Sequence, residues 1–565
     1  MTSDFPPSND LPDVIVVGAG AAGAPLAARL SEDPDRRVLL LEAGEDHPTT
    51  PSFPRELRDA GSMAAALPGH VNNWAFLGHM NDRVSFPVSR GRVVGGSTAL
   101  NGTYFIRARR EDFERWVALG NPAWAWDAVL PYYRRMEDDR TYGASEVHGA
   151  GGPVPVTRAT DLHPVTIAFN EACAELGFAA EPDKNDQCPP GFGPVPVNAV
   201  GGVRANTAMT YLNPIRAARP NLTVAGGTFV HRVLFDGTRA VGVVTGGGRL
   251  RRVASGGEVV LAAGAVKSPH LLLCSGVGPA AQLARFGIPV VHDAPGVGRD
   301  LVDHPEIIFH WTPNRALGGA GRPESMQAVL NFTAAGSPHV GDLEILCIFK
   351  PFADLMGAGL FTGAARHPAA TARGLRGMTL RQLAHELARR HDIGFPVGLQ
   401  QEESRGELTL ASADPAVPPC IDYHYLATRF DRARMREVTR TTAALLRTRA
   451  FSSLVARYEV PDHTLADDGA LDEWLAGHLG TAVHMVGTCR MGPESDEGAV
   501  VDQFGVVRGV EGLRVVDTSI FPSIPRRGPA ATATMVAERI AEVMRGRTPR
   551  RTAASLDAGE PFHQR

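Results

Sequence analysis

Four residues near the start of the 565-residue chain have the types and spacing to hold a dinucleotide: Gly18, Gly20, Gly23 and Glu42. In Gly18-Ala19-Gly20-Ala21-Ala22-Gly23 the first glycine permits a tight turn and the second lets backbone approach a pyrophosphate. The third lets a helix pack closely on a strand. The helix that follows would turn unpaired N–H groups and the positive end of its dipole toward the phosphates. Glu42 could accept hydrogen bonds from a ribose. Glycine-rich turns are also common in purely structural settings, so the reading depends on the elements around this one.

Those elements agree with it. Asp13-Val14-Ile15-Val16-Val17 is a continuous apolar run suited to a strand buried on both faces of a parallel sheet. A helical run reaches about Ser31, with Pro25 in its first turn, where N–H groups lack partners anyway. Arg37-Val38-Leu39-Leu40-Leu41-Glu42 reads as a second strand ending on the acid. A further stretch of small residues, Gly91 to Gly102, suits backbone lying against something flat; a plain glycine loop is the alternative.

Composition narrows the class. With 44% hydrophobic and 21% charged residues the chain is that of an ordinary globular protein, long enough for two or more cores. A net charge of -4 gives no reason to expect nucleic acid or an anionic membrane as partner. The bases are nearly all arginine, with lysine only at 184, 267 and 350. No apolar stretch approaches the roughly 18 residues of a membrane span, and residues 1–12 show no basic patch leading into an apolar run. The six cysteines are scattered and read as reduced core thiols of a cytoplasmic protein.

Along the chain, Thr166 to Leu176 has a helical pattern, while 222–224, 241–244 and 259–264 read as strands. Ser268 to Gly278 reads as a short capped helix ending at glycine. The pattern then shifts to separated strands at 343–349 and 406–410 and a helix at 429–447. A capping box at Thr379 opens a basic helix carrying Leu380, Leu383 and Leu387, most simply a solvated face. A strand at 513–517 and a helix at 531–543 restore α/β character before a polar tail, expected to be disordered.

Five motifs in order resemble the glucose-methanol-choline (GMC) family of flavin oxidoreductases over nearly the whole chain. They are the nucleotide turn, Gly91 to Asn101, Gly264-Ala265 with Ser268-Pro269 and Ser275 to Gly278, Gly296-Val297-Gly298 with Asp303-His304, and His484-Met485-Val486-Gly487-Thr488-Cys489-Arg490-Met491-Gly492. The resemblance implies an α/β fold: a Rossmann-like FAD-binding domain assembled from residues 1–155, 216–304 and 476–545. An α+β substrate domain with an antiparallel sheet would come from 156–215 and 305–475, leaving 546–565 as the tail. It implies that Gly18, Gly20, Gly23 and Glu42 hold the ADP half of FAD, and that Val94, Gly96, Asn101 and Gly102 line the flavin. Val230 would meet the adenine, Asp517 would lie near the pyrophosphate, and Gly528, Pro529 and Ala530 would complete the cofactor's surroundings. Some members attach FAD through a histidine that falls at Leu100 here, so the resemblance implies non-covalent FAD. No metal site is implied.

Oxidising an alcohol requires a hydride acceptor and a base near neutral pKa, and histidine suits the second task. His484 is the candidate; His304 is expected to be structural or flavin-supporting. The family's second catalytic His or Asn falls at Gly528, or at Ala530 if the register slips, and neither side chain can hydrogen-bond. Arg526 or Arg527 could lean into the vacated place. Arg527-Gly528-Pro529 with Asp303-His304-Pro305-Glu306 is also similar to the mycofactocin-associated actinobacterial branch, which would imply oxidation of a peptide-derived carrier and electron delivery to a respiratory chain. Three readings follow: an alcohol dehydrogenase or oxidase with oxygen, a quinone or a redox protein as acceptor; a non-redox enzyme of lyase or photodecarboxylase type; and a flavoprotein with little chemistry left.

Overall fold

The computed structural model describes residues 11–315, 317, 324–351, 354–355 and 392–546. The basic helix expected from Thr379 and the polar tail lie outside the described residues. A five-stranded parallel sheet has the spatial order 222–225, 38–41, 14–17, 258–261, 513–515. Strand Val14–Val17 is central and pairs in register with both Val38–Leu41 and Glu258–Leu261. All four of its residues are buried, which is why the segment reads as one unbroken apolar run. The expected glycine turn joins it to the helix Gly23–Leu30 at the carboxyl ends of the strands. Gly18 has φ +101°, and a Cβ there would stand 2.5 Å from the Ala262 carbonyl oxygen. No other residue fits both that backbone and that approach. A Cβ on Gly23 would stand 1.8 Å from the Gly18 oxygen, so the third glycine sets how closely helix meets strand.

The second main sheet is antiparallel. Its order is 455–458, 305–313, 393–399, 343–348, 326–332, 192–194, with 480–481 pairing onto the start of 305–313. Helices Pro164–Glu175 and Arg429–Arg447 pack against it, the latter capped by the Thr428 hydroxyl on the Asp431 N–H. Both helices lie where their periodicity indicates. The strands 326–332 and 343–348 are buried throughout, so each has a second covered face, and Met326, Glu344, Leu346 and Ile348 line a large cavity there. A smaller sheet joins Phe76–His79 and Ser85–Val88 to 407–409 and 420–422.

Two local expectations are corrected. The helix expected from Ser268 begins at Gly264, and Ser268 lies inside it. Its hydroxyl is drawn to the buried Asp517 carboxylate at 2.5 Å instead of capping a helix end. Of the six free cysteines, Cys188 and Cys420 are exposed; only Cys173, Cys274, Cys347 and Cys489 are core thiols.

Candidate active site

The cavity runs from the glycine turn to the antiparallel sheet. Its wall includes Gly18, Gly20, Glu42, Gly96, Asn101, Gly102, Val230 and Asp517, and then His484, Gly528, Pro529 and Ala530. Two of the residues expected at the cofactor are not in the wall. Gly23 serves helix packing, and Val94 is buried, its N–H donating to the Glu45 carbonyl at 2.9 Å.

Glu42 ends its strand as anticipated. It also braces the turn, accepting the Ala19 N–H at 3.0 Å and the Gly44 N–H at 2.9 Å. Burial pushes its carboxyl up to about 6. Each carboxylate oxygen keeps a lone pair for a ribose hydroxyl. Asp517 plays a similar bracing part, receiving the Gly264 N–H, the Ser268 hydroxyl and the N–H and hydroxyl of Ser519. Gly96 (φ +53°) rests against the first turn, where a Cβ would stand 2.6 Å from the Gly20 Cα. The small residues of 91–102 therefore lie against the nucleotide turn as well as against the cavity. A Cβ on Gly264 would meet nothing within 4 Å, so backbone there is open to the cavity. An open, glycine-walled channel with helix-terminal N–H groups and a carboxylate at one end fits FAD.

At the other end His484 follows the strand Gly480–Thr481. Between them Val483 holds φ +57°, an uncommon conformation for a β-branched residue, with its N–H tied to the Thr481 hydroxyl at 3.1 Å. The His484 N–H donates to Asp303 Oδ1 at 2.6 Å, and the same oxygen receives the His304 N–H at 2.7 Å. One buried carboxylate thus sets the backbones of two histidines from distant parts of the chain. Their rings meet with Nδ1 atoms 3.0 Å apart, and His304 Nε2 lies 3.0 Å from the Pro525 carbonyl oxygen. Burial, with His304 and Arg90 nearby, holds the His484 imidazolium well below the ordinary histidine range. Burial brings His304 down to about 4. Both rings are neutral at pH 7.

Gly528 faces His484: a Cβ built on it would stand 3.3 Å from Nε2 and 3.4 Å from Cε1. The arginines beside it do not fill that place. Arg526 bonds Gln401 Oε1 at 2.7 Å, and Arg527 reaches Asn331 and Glu181. Both are buried and neither lines the cavity; neighbouring acceptors hold them. Leu100 is buried in the cavity wall.

The sheet adds residues whose roles the sequence did not indicate. Glu306 pairs with Gly398, and Gly398 with Glu344, so the two carboxylates lie in register across one intervening strand. Both line the cavity. Glu344 accepts from Asn331 Nδ2 at 2.9 Å and the Tyr104 hydroxyl at 3.4 Å. Glu306 has no side-chain hydrogen bond or ion pair among the described residues. Burial, with Glu344 and Asp303 nearby, pushes it up to about 8. Arg90 also lines the cavity, making no ion pair among the described residues; its guanidinium donates to the Ser89 carbonyl. A charged residue two positions after the Asp303-His304 motif was the available signal for Glu306.

Away from the cavity, Glu137, Asp139 and His148 bring potential metal-ligand atoms within 4.8 Å of one another. Arg107 and Arg158 already pair with these carboxylates, and His148 Nε2 lies 2.6 Å from Asp183. The cluster is a closed ion-pair network.

The chain belongs to the GMC oxidoreductase family, whose N-terminal profile matches residues 13–306 and whose C-terminal profile matches 402–537. It is 40% identical to a GMC-type oxidoreductase of Rhodococcus erythropolis, over 95% of this chain and 99% of that one. It is 35% identical to an oxygen-dependent choline dehydrogenase of Escherichia coli, over 96% and 97%. Among solved structures it resembles pyridoxine 4-oxidase from Mesorbium loti, with TM-score 0.81 and 27% identity over 95% of this chain and 99% of that one. A fungal aryl-alcohol oxidase matches with TM-score 0.73 and 25% identity over 95% and 99%. The protein is therefore an FAD-dependent oxidoreductase acting on CH–OH groups. No helix among the described residues is long and apolar enough to cross a membrane.

Proposed function

We propose that the protein oxidises the CH–OH group of a small alcohol that carries a positive charge, with His484 as the base. The observation that carries this reading is the Glu306 carboxyl, half-buried in the cavity wall, without a side-chain partner among the described residues and on the same sheet face as Glu344. A carboxyl so placed, beside Glu344 and Asp303, is costly to ionise alone, and a bound cation offsets the cost. The similarity to choline dehydrogenase points the same way. Bound FAD, held non-covalently by the glycine turn, Glu42 and the wall from Gly96 to Gly102, would accept the hydride.

The chain's own residues do the rest. His484, neutral and rigidly placed, takes the hydroxyl proton on Nε2. Glu306 orients the cationic end, while Met326, Leu346 and Ile348 exclude water from the space between. Arg90, a cation in the cavity wall, favours negative charge developing on the substrate oxygen. A peptide-derived redox carrier with a respiratory-chain acceptor is the second reading; the cavity supports the small cationic alcohol better.

The test is anaerobic bleaching of the oxidised flavin band by choline and by its neutral isostere 3,3-dimethyl-1-butanol. Faster bleaching by choline is expected. Equal rates would remove the charge from the reading, and no bleaching by a wide set of alcohols would remove the reaction.

A further inference from the structure

Two imidazoles that share a hydrogen bond cannot choose their tautomers independently. The His304 Nε2 atom lies 3.0 Å from the Pro525 carbonyl oxygen, which can only accept, so Nε2 carries the proton of the neutral ring. That leaves Nδ1 of His304 as a lone pair, and it lies 3.0 Å from His484 Nδ1. A hydrogen bond there requires the proton on His484 Nδ1, and His484 Nε2 is left unprotonated. Nε2 is the atom that faces Gly528 and the cavity.

We propose that His304 is a positioning residue that fixes His484 in the Nδ1–H tautomer, so that its free lone pair points at the substrate hydroxyl. The chain of constraint runs from the Pro525 carbonyl through His304 to His484. Asp303 Oδ1 holds both backbone N–H groups so that the rings keep their distance. When His484 takes a proton, its Nδ1–H···Nδ1 bond becomes charge-assisted and strengthens, with His304 accepting throughout. Pro525 lies three residues before Gly528, so the segment that lacks the family's second polar side chain supplies the carbonyl that orients the first. The proposal rests on His484 acting as the base.

Two measurements on the holoenzyme test it. In protein labelled with ¹⁵N-histidine, the His484 signals, assigned by their loss in His484→Ala, should show a protonated Nδ1 and a bare Nε2. His304 should show the reverse. Finding His304 protonated at Nδ1, as a bond to the nearby Gln400 carbonyl would give, overturns the proposal. The second measurement compares variants. His304→Asn keeps an acceptor near the Nδ1 position and should retain most of the flavin-reduction rate. His304→Leu removes it and should lose roughly 10- to 100-fold in rate with little change in substrate KM, as is typical when an orienting partner is lost. Equal rates in the two variants would refute the role. The spectroscopic result is independent of whether His484 is the base, which His484→Ala tests separately.

Discussion

Gly528 stands directly against His484, with room for no side chain at ordinary contact distance: its virtual Cβ lies 3.3 Å from Nε2 and 3.4 Å from Cε1. Gly528→Ala should push the imidazole by a few tenths of an ångström. Overpacking of this kind costs about 1–3 kcal/mol, and if it falls on the transition state, flavin reduction slows roughly 5- to 150-fold. Gly528→His and Gly528→Asn should likewise lower native turnover without a gain on small neutral alcohols. Stopped-flow reduction under anaerobic conditions reads all three. A gain on small alcohols with native activity intact would mean Gly528 marks a lost polar group and nothing more.

The pH dependence of His484 has a definite sign. Burial and the neighbouring positive charge disfavour its protonated form, so it is the free base at neutral pH. The rate constant for flavin reduction should be flat around pH 7 and fall only on the acid side, below the usual histidine range near 6.5. His484→Ala should remove that acid limb and slow reduction by roughly 10²- to 10⁴-fold while FAD stays bound. An acid limb that persists in the variant would assign the titration to another group.

Much of this was legible because it is local. The turn from Gly18 to Gly23 is specified by three glycines within one loop, and Glu42 by the end of the next strand. The base and its partner were legible only as separate motifs. His304 and His484 meet through Asp303 and the pairing of residues 480–481 onto 305–306, contacts between segments remote in sequence. Arg526 and Arg527 illustrate the same limit. Their position beside Gly528 suggested they would lean in, but their direction is set by Gln401, Asn331 and Glu181, which no local pattern reveals. That Glu306 and Glu344 share one face is visible only from the strand register.

Cofactor attachment gives a direct check. Leu100 has no nucleophile to join the flavin, so denaturation should release intact FAD into the supernatant, with none on the precipitated chain. Glu42→Ala should lower FAD retention, because hydrogen bonds to a charged group contribute about 1.5–3 kcal/mol, and the turn would also lose its brace to the Ala19 N–H. Fluorescence titration of the apoprotein with FAD measures this, and unchanged affinity would place the ribose elsewhere.

The buried network around His148 should control stability at alkaline pH. Hydrogen bonds to Asp139, Asp183 and Glu137 outweigh burial and raise the imidazolium to about 10. Arg107 and Arg158 share the same carboxylates. A group raised on folding contributes stability that is complete below its unfolded pKa and is lost as pH rises through the folded one. His148→Gln should therefore lower Tm at neutral pH, with the difference from the parent shrinking as pH rises from the ordinary histidine range toward about 10 and levelling off above it. A constant difference would mean that packing, not charge, is what His148 contributes.

The last prediction concerns substrate charge. Burial and the nearby Glu344 and Asp303 raise the Glu306 carboxyl to about 8, which disfavours its ionised form in the empty cavity at pH 7. A cationic alcohol binds the ionised form more tightly, so its affinity should improve as pH rises through about 8. Binding at lower pH should release a proton to the buffer, measurable by calorimetry in buffers of different ionisation enthalpy. Glu306→Gln keeps the shape and removes the charge. It should weaken binding of choline and abolish both the pH dependence and the proton release, while the neutral isostere binds as before. Retention of the pH dependence in Glu306→Gln would transfer the titration to Glu344, the other carboxylate on that face.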